Sequence, residues 1–218
     1  RQSVIDLCDV YRNCNSELEP FIFAMKGGDA FYSKKENTYG EEGIIVFFDT
    51  VFEDISFKRL AFHELFHAYQ FHYADASSIG ALQVDGPWLI EGGAELFSEI
   101  ILYQLGYQTE EKFNSQMELK LLSKEEYLSG NIPLNEIQYG SLLRPYYLGS
   151  WFTVYLISEV GYEVYLVDFY EDLHTVGVEE TIKKYFSTDI PGVIKNFNNF
   201  LAQENDILLM RLNEVLDD

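Results

Sequence analysis

Between Asp54 and Tyr73 the apolar residues Phe57, Leu60, Ala61, Phe62, Leu65 and Ala68 recur at the three-and-four spacing of one helix face. Asp54 or Ser56 can cap the start of this helix, which the pattern carries to about Tyr73. The stretch ADASSIGALQVDG, 74–86, is small and polar and reads as a loop, after which Pro87 and Trp88 open a second helix that runs to about Leu105. From Glu110 onward the pattern is helical almost throughout, with breaks at 130–133, Gly161, Gly177 and Pro191. Upstream, EPFIFAMKGG and EGIIVFFDT are short β-prone runs bounded by Gly, Pro and Asp, and they predict strands. The expected fold class is therefore α+β in a single compact domain, 1–218. A small N-terminal β-sheet part that also carries the first helix, 1–74, precedes a mainly α-helical part, 75–218.

Composition supports a packed globule. Of 218 residues, 47% are hydrophobic, including 17 Phe and 16 Tyr, enough to bury a core without disulfide or metal staples. Charge narrows the partners: 15 Lys and Arg against 36 Asp and Glu leave a net charge of −21, which repels phosphate backbones and anionic lipid surfaces. No nucleic-acid partner is expected. No run reaches the roughly 18 apolar residues of a membrane span, so none is expected either. Cys8 and Cys14 are spaced so as to permit a small disulfide loop without demanding one. That pair, with Arg1 in place of an initiator Met, leans toward secretion or the cell envelope rather than the cytoplasm.

The chemistry lies in RLAFHELFHAYQ, 59–70, and WLIEGGAELF, 88–97. Each helical residue turns about 100°, so positions i and i+4 lie only about 40° apart, and His63 and His67 can point at one metal ion. Glu64 lies beside them, placed to take a proton from a water rather than to bind the metal. A catalytic zinc takes three protein ligands and leaves one position for water or substrate. Glu91, in the apolar setting of the second helix, is the expected third ligand, because an unpaired carboxylate there would be costly and a metal-bound one would not. Glu95, one turn later on the same face, can accept a hydrogen bond from the far ring nitrogen of His63 or His67 and fix its tautomer. His-Glu-x-x-His alone arises readily by chance; the second acidic string on a neighbouring helix is what makes a metal site of it.

Together, HELFH and WLIEGGAEL resemble the gluzincin superfamily of zinc metallopeptidases, which includes the thermolysin-like endopeptidases, the zinc aminopeptidases and the bacterial collagenases. Position by position, the resemblance makes His63, His67 and Glu91 the ligands of one zinc ion, Glu64 the general base, and Glu95 an acid that supports a ligand. It implies a peptide or protein substrate. RPYYLGSWF is similar to the aminopeptidase segment whose tyrosine stabilises the oxyanion; Tyr146 takes that place, with Tyr147 as the alternative. The helical C-terminal part is also similar, and the likeness spans roughly 40–205. Two departures bear on specificity. The 23 residues between His67 and Glu91 exceed the usual spacing, and the Gly-x-Met-x-Asn segment that grips a free amino terminus has no counterpart, which favours an endopeptidase. His72 falls about 140° round the helix from His67 and is expected to support a ligand from behind or to lie at the surface rather than bind the metal; His174, at a helix end, could donate to an oxyanion but is expected at the surface. A competing expectation is a peptidase-like module that binds zinc without turnover.

Overall fold

The computed structural model describes residues 31–32, 44–45, 54–73, 87–130, 132–138 and 145–217. Their backbone is dominated by helix: α1 Asp54–Tyr73, α2 Pro87–Gln104, α3 Glu110–Leu119, α4 Lys124–Ser129, a short 3-10 turn Leu134–Glu136, and α5 Pro145–Val160. Next come α6 Tyr162–Val164, a π-helical turn Tyr165–Phe169, α7 Tyr170–Thr175, α8 Val178–Phe186, α9 Ile190–Leu201 and α10 Asn205–Asp217.

The expected α+β class with an N-terminal sheet is corrected to a mostly α-helical fold. Of the run 42–50 only Ile44–Ile45 is described; it pairs antiparallel with Phe31–Tyr32 in a ladder two residues long, which is no sheet layer. The strand predicted over 19–28, Cys8 and Cys14 lie outside the described residues. Short β-branched runs such as Ile44, Ile45 and Val46 do not by themselves distinguish a sheet from a brief pairing. The large buried side chains belong instead to helices packed on helices.

At the centre lies α2. Its buried residues, among them Trp88, Leu89, Ile90, Leu96, Phe97, Ile100 and Leu102, cover every side of the helix, the signature of an element enclosed by others. Its most extensive contacts are with α5 and then with α1. The α1 face is held by Phe66 stacked on Phe97, ring centroids 4.3 Å apart and planes within 7°. On the α5 face Trp88 meets Phe152 edge-on at 4.8 Å. Each such buried side chain contributes about 1.5–3 kcal/mol through removal of apolar surface from water.

Two glycines set the distance between α2 and α5. A Cβ added to Gly92 would lie 2.2 Å from the carbonyl carbon of Gly149, and one added to Gly149 would lie 2.1 Å from the Trp88 carbonyl oxygen. The backbones touch, so the residues beside the contact, Glu91 on α2 and Tyr146 one turn back on α5, are brought to one region. The other end of α2 is closed by Gly106 at φ +75°, a left-handed position that glycine takes without strain. Thr109 then caps α3 by accepting from the Lys112 amide, and α3 runs back along α2 so that Lys120, at its end, reaches α2 again. Pro191 begins a helix rather than breaking one: it sits in the first turn of α9, behind the cap Asp189, which accepts from the Gly192 amide.

Helix propensity alone predicts that Gly149→Ala gains about 1 kcal/mol. The contact with Trp88 and Gly92 predicts the opposite sign, a loss of about 3 kcal/mol from overpacking. Urea denaturation should show the midpoint lowered with an unchanged slope; an unchanged or higher midpoint would contradict the backbone contact.

Candidate metal centre

The site grows from two stripes of charged and polar residues at i, i+4 and i+8. On α1 they are Arg59, His63 and His67; on α2 they are Glu91, Glu95 and Glu99. Packed antiparallel, the stripes pair in reverse order. Arg59 donates from Nε to Glu99 Oε1 at 2.8 Å, His63 Nδ1 lies 3.5 Å from Glu95 Oε2, and His67 Nε2 lies 3.3 Å from Glu91 Oε2. His63 Nε2 also comes within 3.1 Å of Glu91 Oε2 and within 3.1 Å of His67 Nε2.

Hydrogen bonds behind the two rings assign their tautomers. Gln70 Nε2 donates to the Ile90 carbonyl at 3.0 Å, and because a carbonyl can only accept, the amide oxygen must be the atom 2.8 Å from His67 Nδ1. His67 therefore carries its proton on Nδ1. His63 Nδ1 faces the Glu95 carboxylate, which likewise only accepts. With both Nδ1 atoms protonated, both Nε2 lone pairs turn toward each other and toward Glu91 Oε2. Three acceptor atoms 3.1–3.3 Å apart repel unless a cation lies among them. That cation is a metal ion or, without one, a proton.

The charges tell the same story. Glu99, fully buried, is met by Arg59, by Lys120 at 3.4 Å and by Gln108 Nε2 at 3.1 Å. Glu95 takes Lys120 Nζ at 2.6 Å. Among the described residues, the buried Glu99 and the partly buried Glu95 thus share the permanent cations Arg59 and Lys120, whereas Glu91, also partly buried, stands against the two imidazoles. Burial, the largest influence on His63, favours the neutral ring. The hydrogen bonds and charges of Glu91 and Glu95 outweigh it and raise the pKa to about 9. Burial likewise opposes ionisation of Glu91 and Glu95. The His63 and His67 hydrogen bonds hold Glu91 well below the carboxylate range, and His63 with Lys120 lowers Glu95 to about 2.

Among the described residues, His63, His67 and Glu91 form the one group of His, Cys, Asp or Glu able to converge on a metal ion. Glu64 is buried on the same helix. Tyr146 stands against the site with its ring 6.1 Å from that of His63. Its pKa is pushed up, first by burial and then by the charges of Glu91, Glu95 and Glu64, so its hydroxyl stays protonated and able to donate. Tyr147 takes a different neighbour, Lys120, whose Nζ lies 5.0 Å from its ring centre. Glu95 supports His63 rather than His67. His174 is exposed in the last turn of α7, the His72 side chain lies outside the described residues, and so does the loop 74–86.

Sequence reasoning missed Gln70, which holds His67, and the cations Arg59 and Lys120. Gln70 was findable, since a polar residue three positions past His67 shares its face. Arg59 and Glu99 extend the two stripes by one step each. Lys120 comes from another helix, and no local pattern announces it. Comparison of the chain with protein-family models, with curated proteins and with solved structures returns no match. The gluzincin resemblance thus stands on the motif residues alone.

A pH signature follows for protein stripped of metal. The His63 pKa in the fold, about 9, exceeds its ordinary 6.5, so this stabilisation is complete below about pH 6.5 and lost as pH rises through 9. Glu91 and Glu95 act with the opposite sign: their contribution is complete above about pH 4.5 and lost as pH falls toward 2. Chelator-stripped protein is expected to lose Tm between pH 6.5 and 9, and His63→Gln to abolish that slope. A Tm that climbs through the interval would contradict the charge arrangement.

Proposed function

We propose that the protein is a zinc-dependent peptidase of the gluzincin type, an endopeptidase, with zinc held by His63, His67 and Glu91. The observation that carries this reading is the triangle of three lone-pair atoms with edges of 3.1, 3.1 and 3.3 Å. Tetrahedral zinc with nitrogen and oxygen donors at about 2.0–2.1 Å spans donor pairs about 3.3–3.4 Å apart, so the residues fit the ion with little adjustment. Two imidazoles and one carboxylate are the donor set of many hydrolytic zinc sites, and three protein donors leave a coordination position for water or substrate.

Bound there, zinc would supply Lewis acidity, lowering the pKa of water to near neutral and polarising a carbonyl. The chain's own residues do the rest. Glu64, one position past His63 and buried, removes the proton from the attacking water and passes it to the departing amine. Tyr146, kept protonated by burial and the nearby carboxylates, donates its hydroxyl hydrogen to the oxyanion, a contact typically worth about 3 to 4 kcal/mol. Glu95 and Gln70 hold the two imidazoles from behind, so the rings need not reorganise during the reaction. The endopeptidase assignment rests on the missing segment for gripping a free amino terminus. The net charge of −21 leaves nucleic acid the least favoured substrate, and no helix among the described residues is long and apolar enough to cross a membrane.

The test is cleavage profiling of a diverse peptide mixture by mass spectrometry with zinc-loaded protein. Internal cuts by the wild type are expected. Glu64→Gln should retain zinc and lose about 10²–10⁴-fold in kcat/KM. Zinc-loaded wild type that makes no cuts would overturn the peptidase reading in favour of a binding module, and a Glu64→Gln variant with a tenth of wild-type activity would remove Glu64 as the base. Tyr146→Phe is expected to cost about 10²–10³-fold in kcat with KM nearly unchanged, measured on the best peptide from the profile. An unaffected kcat would assign the oxyanion to another donor.

A further inference from the structure

The π-helical turn Tyr165–Phe169 is far from the metal ligands in sequence yet is tied twice to the helix that carries them. Tyr69, on α1, donates its hydroxyl to the Leu166 carbonyl inside the turn. Gln70, the next residue, donates from Nε2 to the Tyr170 hydroxyl at 3.0 Å. In a regular α-helix Tyr165 and Tyr170, five positions apart, would point about 140° away from each other. The wider turn brings their hydroxyls to 3.1 Å instead.

The surroundings leave the Gln70 amide one orientation. Its nitrogen has two partners, the Ile90 carbonyl and the Tyr170 hydroxyl, and its oxygen faces His67 Nδ1 at 2.8 Å. Room for this arrangement is provided by Gly93: a Cβ there would press on Gln70 Nε2 at 3.0 Å, on Phe66 at 3.2 Å and on the Tyr170 hydroxyl at 3.2 Å. Gln70 and Tyr170 are both buried, so water does not substitute freely for either contact.

We infer that Gln70 is the positioning residue of His67, fixing the tautomer that offers Nε2 to the metal, and that the π turn serves the site by holding Gln70 through Tyr170. This rests on the proposed metal site but not on its being a peptidase. The two ligand rings are thereby held differently, His63 by an ionised carboxylate and His67 by a neutral amide that is locked from behind. A neutral partner adds no further negative charge to a cluster that already holds the Glu91, Glu95 and Glu99 carboxylates.

The inference is tested with full-length protein carrying Gln70→Leu, Gln70→Glu or Tyr170→Phe, using two readouts independent of turnover. Zinc affinity is measured by competition with a chromophoric chelator. The His67 tautomer is read from the ring nitrogen shifts by NMR in metal-free protein. Gln70→Leu is expected to weaken zinc about 10- to 100-fold and to release His67 into a mixture of tautomers. Gln70→Glu keeps an acceptor at Nδ1 and should retain the wild-type tautomer, but it sets a second acceptor against the Ile90 carbonyl and adds a charge, so its zinc affinity is expected to fall between those of the wild type and the Leu variant. Tyr170→Phe removes a single hydroxyl from a site it still fills and should cost about 3- to 10-fold. Equal losses in the Leu and Glu variants would mean that Gln70 merely fills space, and a Leu variant with wild-type affinity and tautomer would likewise overturn the inference. If the Leu variant does not fold, Tyr170→Phe decides: wild-type affinity would overturn the role of the π turn. Wild type that binds no zinc overturns the metal site itself, while the metal-free tautomer of His67 still reports separately on the hold of Gln70.

Discussion

Drawing three carboxylates of one helix out of most of their water, Glu99 completely and Glu91 and Glu95 in large part, is the constraint around which this structure is arranged. Glu91, Glu95 and Glu99 lie at successive turns of α2, whose other sides are apolar and enclosed. A buried carboxylate without a partner costs several kcal/mol, so the neighbours of α2 must supply cations or donors at each step. At Glu99 the supply is generous, with Arg59, Lys120 and Gln108. At Glu95 it is Lys120 and the Nδ1 proton of His63. At Glu91 it is the two imidazoles, His63 and His67. The stripe passes from permanent cations at Glu99 to titratable imidazoles at Glu91, and its last step is where the side chains able to converge on a metal ion meet.

Geometry elsewhere serves the same end. The backbone contact between Gly92 and Gly149 draws α5 against α2 beside Glu91, and so sets the Tyr146 ring near His63. The turn at 105–109 sends α3 back along α2, and Lys120 at its end reaches two carboxylates that lie one turn apart. Aromatic packing of Phe66 on Phe97 locks the register of α1 on α2, without which a slip of one turn would pair every acid with the wrong partner.

What could be read from the sequence was what depends on local periodicity. His63, His67 and the pair Glu91 and Glu95 are spaced by helical turns, and Pro87 marked the start of the second helix. These features needed no knowledge of the chain's path. The N-terminal sheet was misjudged because a β-prone run does not by itself tell a sheet layer from a brief pairing, and the described core is built almost entirely from helices. Lys120 and Tyr170 escaped notice because they reach the site from other helices, and the widened turn that aims Tyr170 leaves no compositional trace. Tyr146 and Tyr147, adjacent in sequence, could be separated only by their neighbours: His63 for one and Lys120 for the other.

Zinc held by His63, His67 and Glu91 would be bound through two nitrogens and one oxygen. The decisive measurement is X-ray absorption at the zinc edge of protein loaded with one equivalent of metal. A four-coordinate shell of nitrogen and oxygen at about 2.0 Å is expected, with the outer-shell scattering of two imidazoles and no sulfur. A sulfur shell at about 2.3 Å, or a six-coordinate shell of oxygen with no imidazole pattern, would place the metal elsewhere and contradict it.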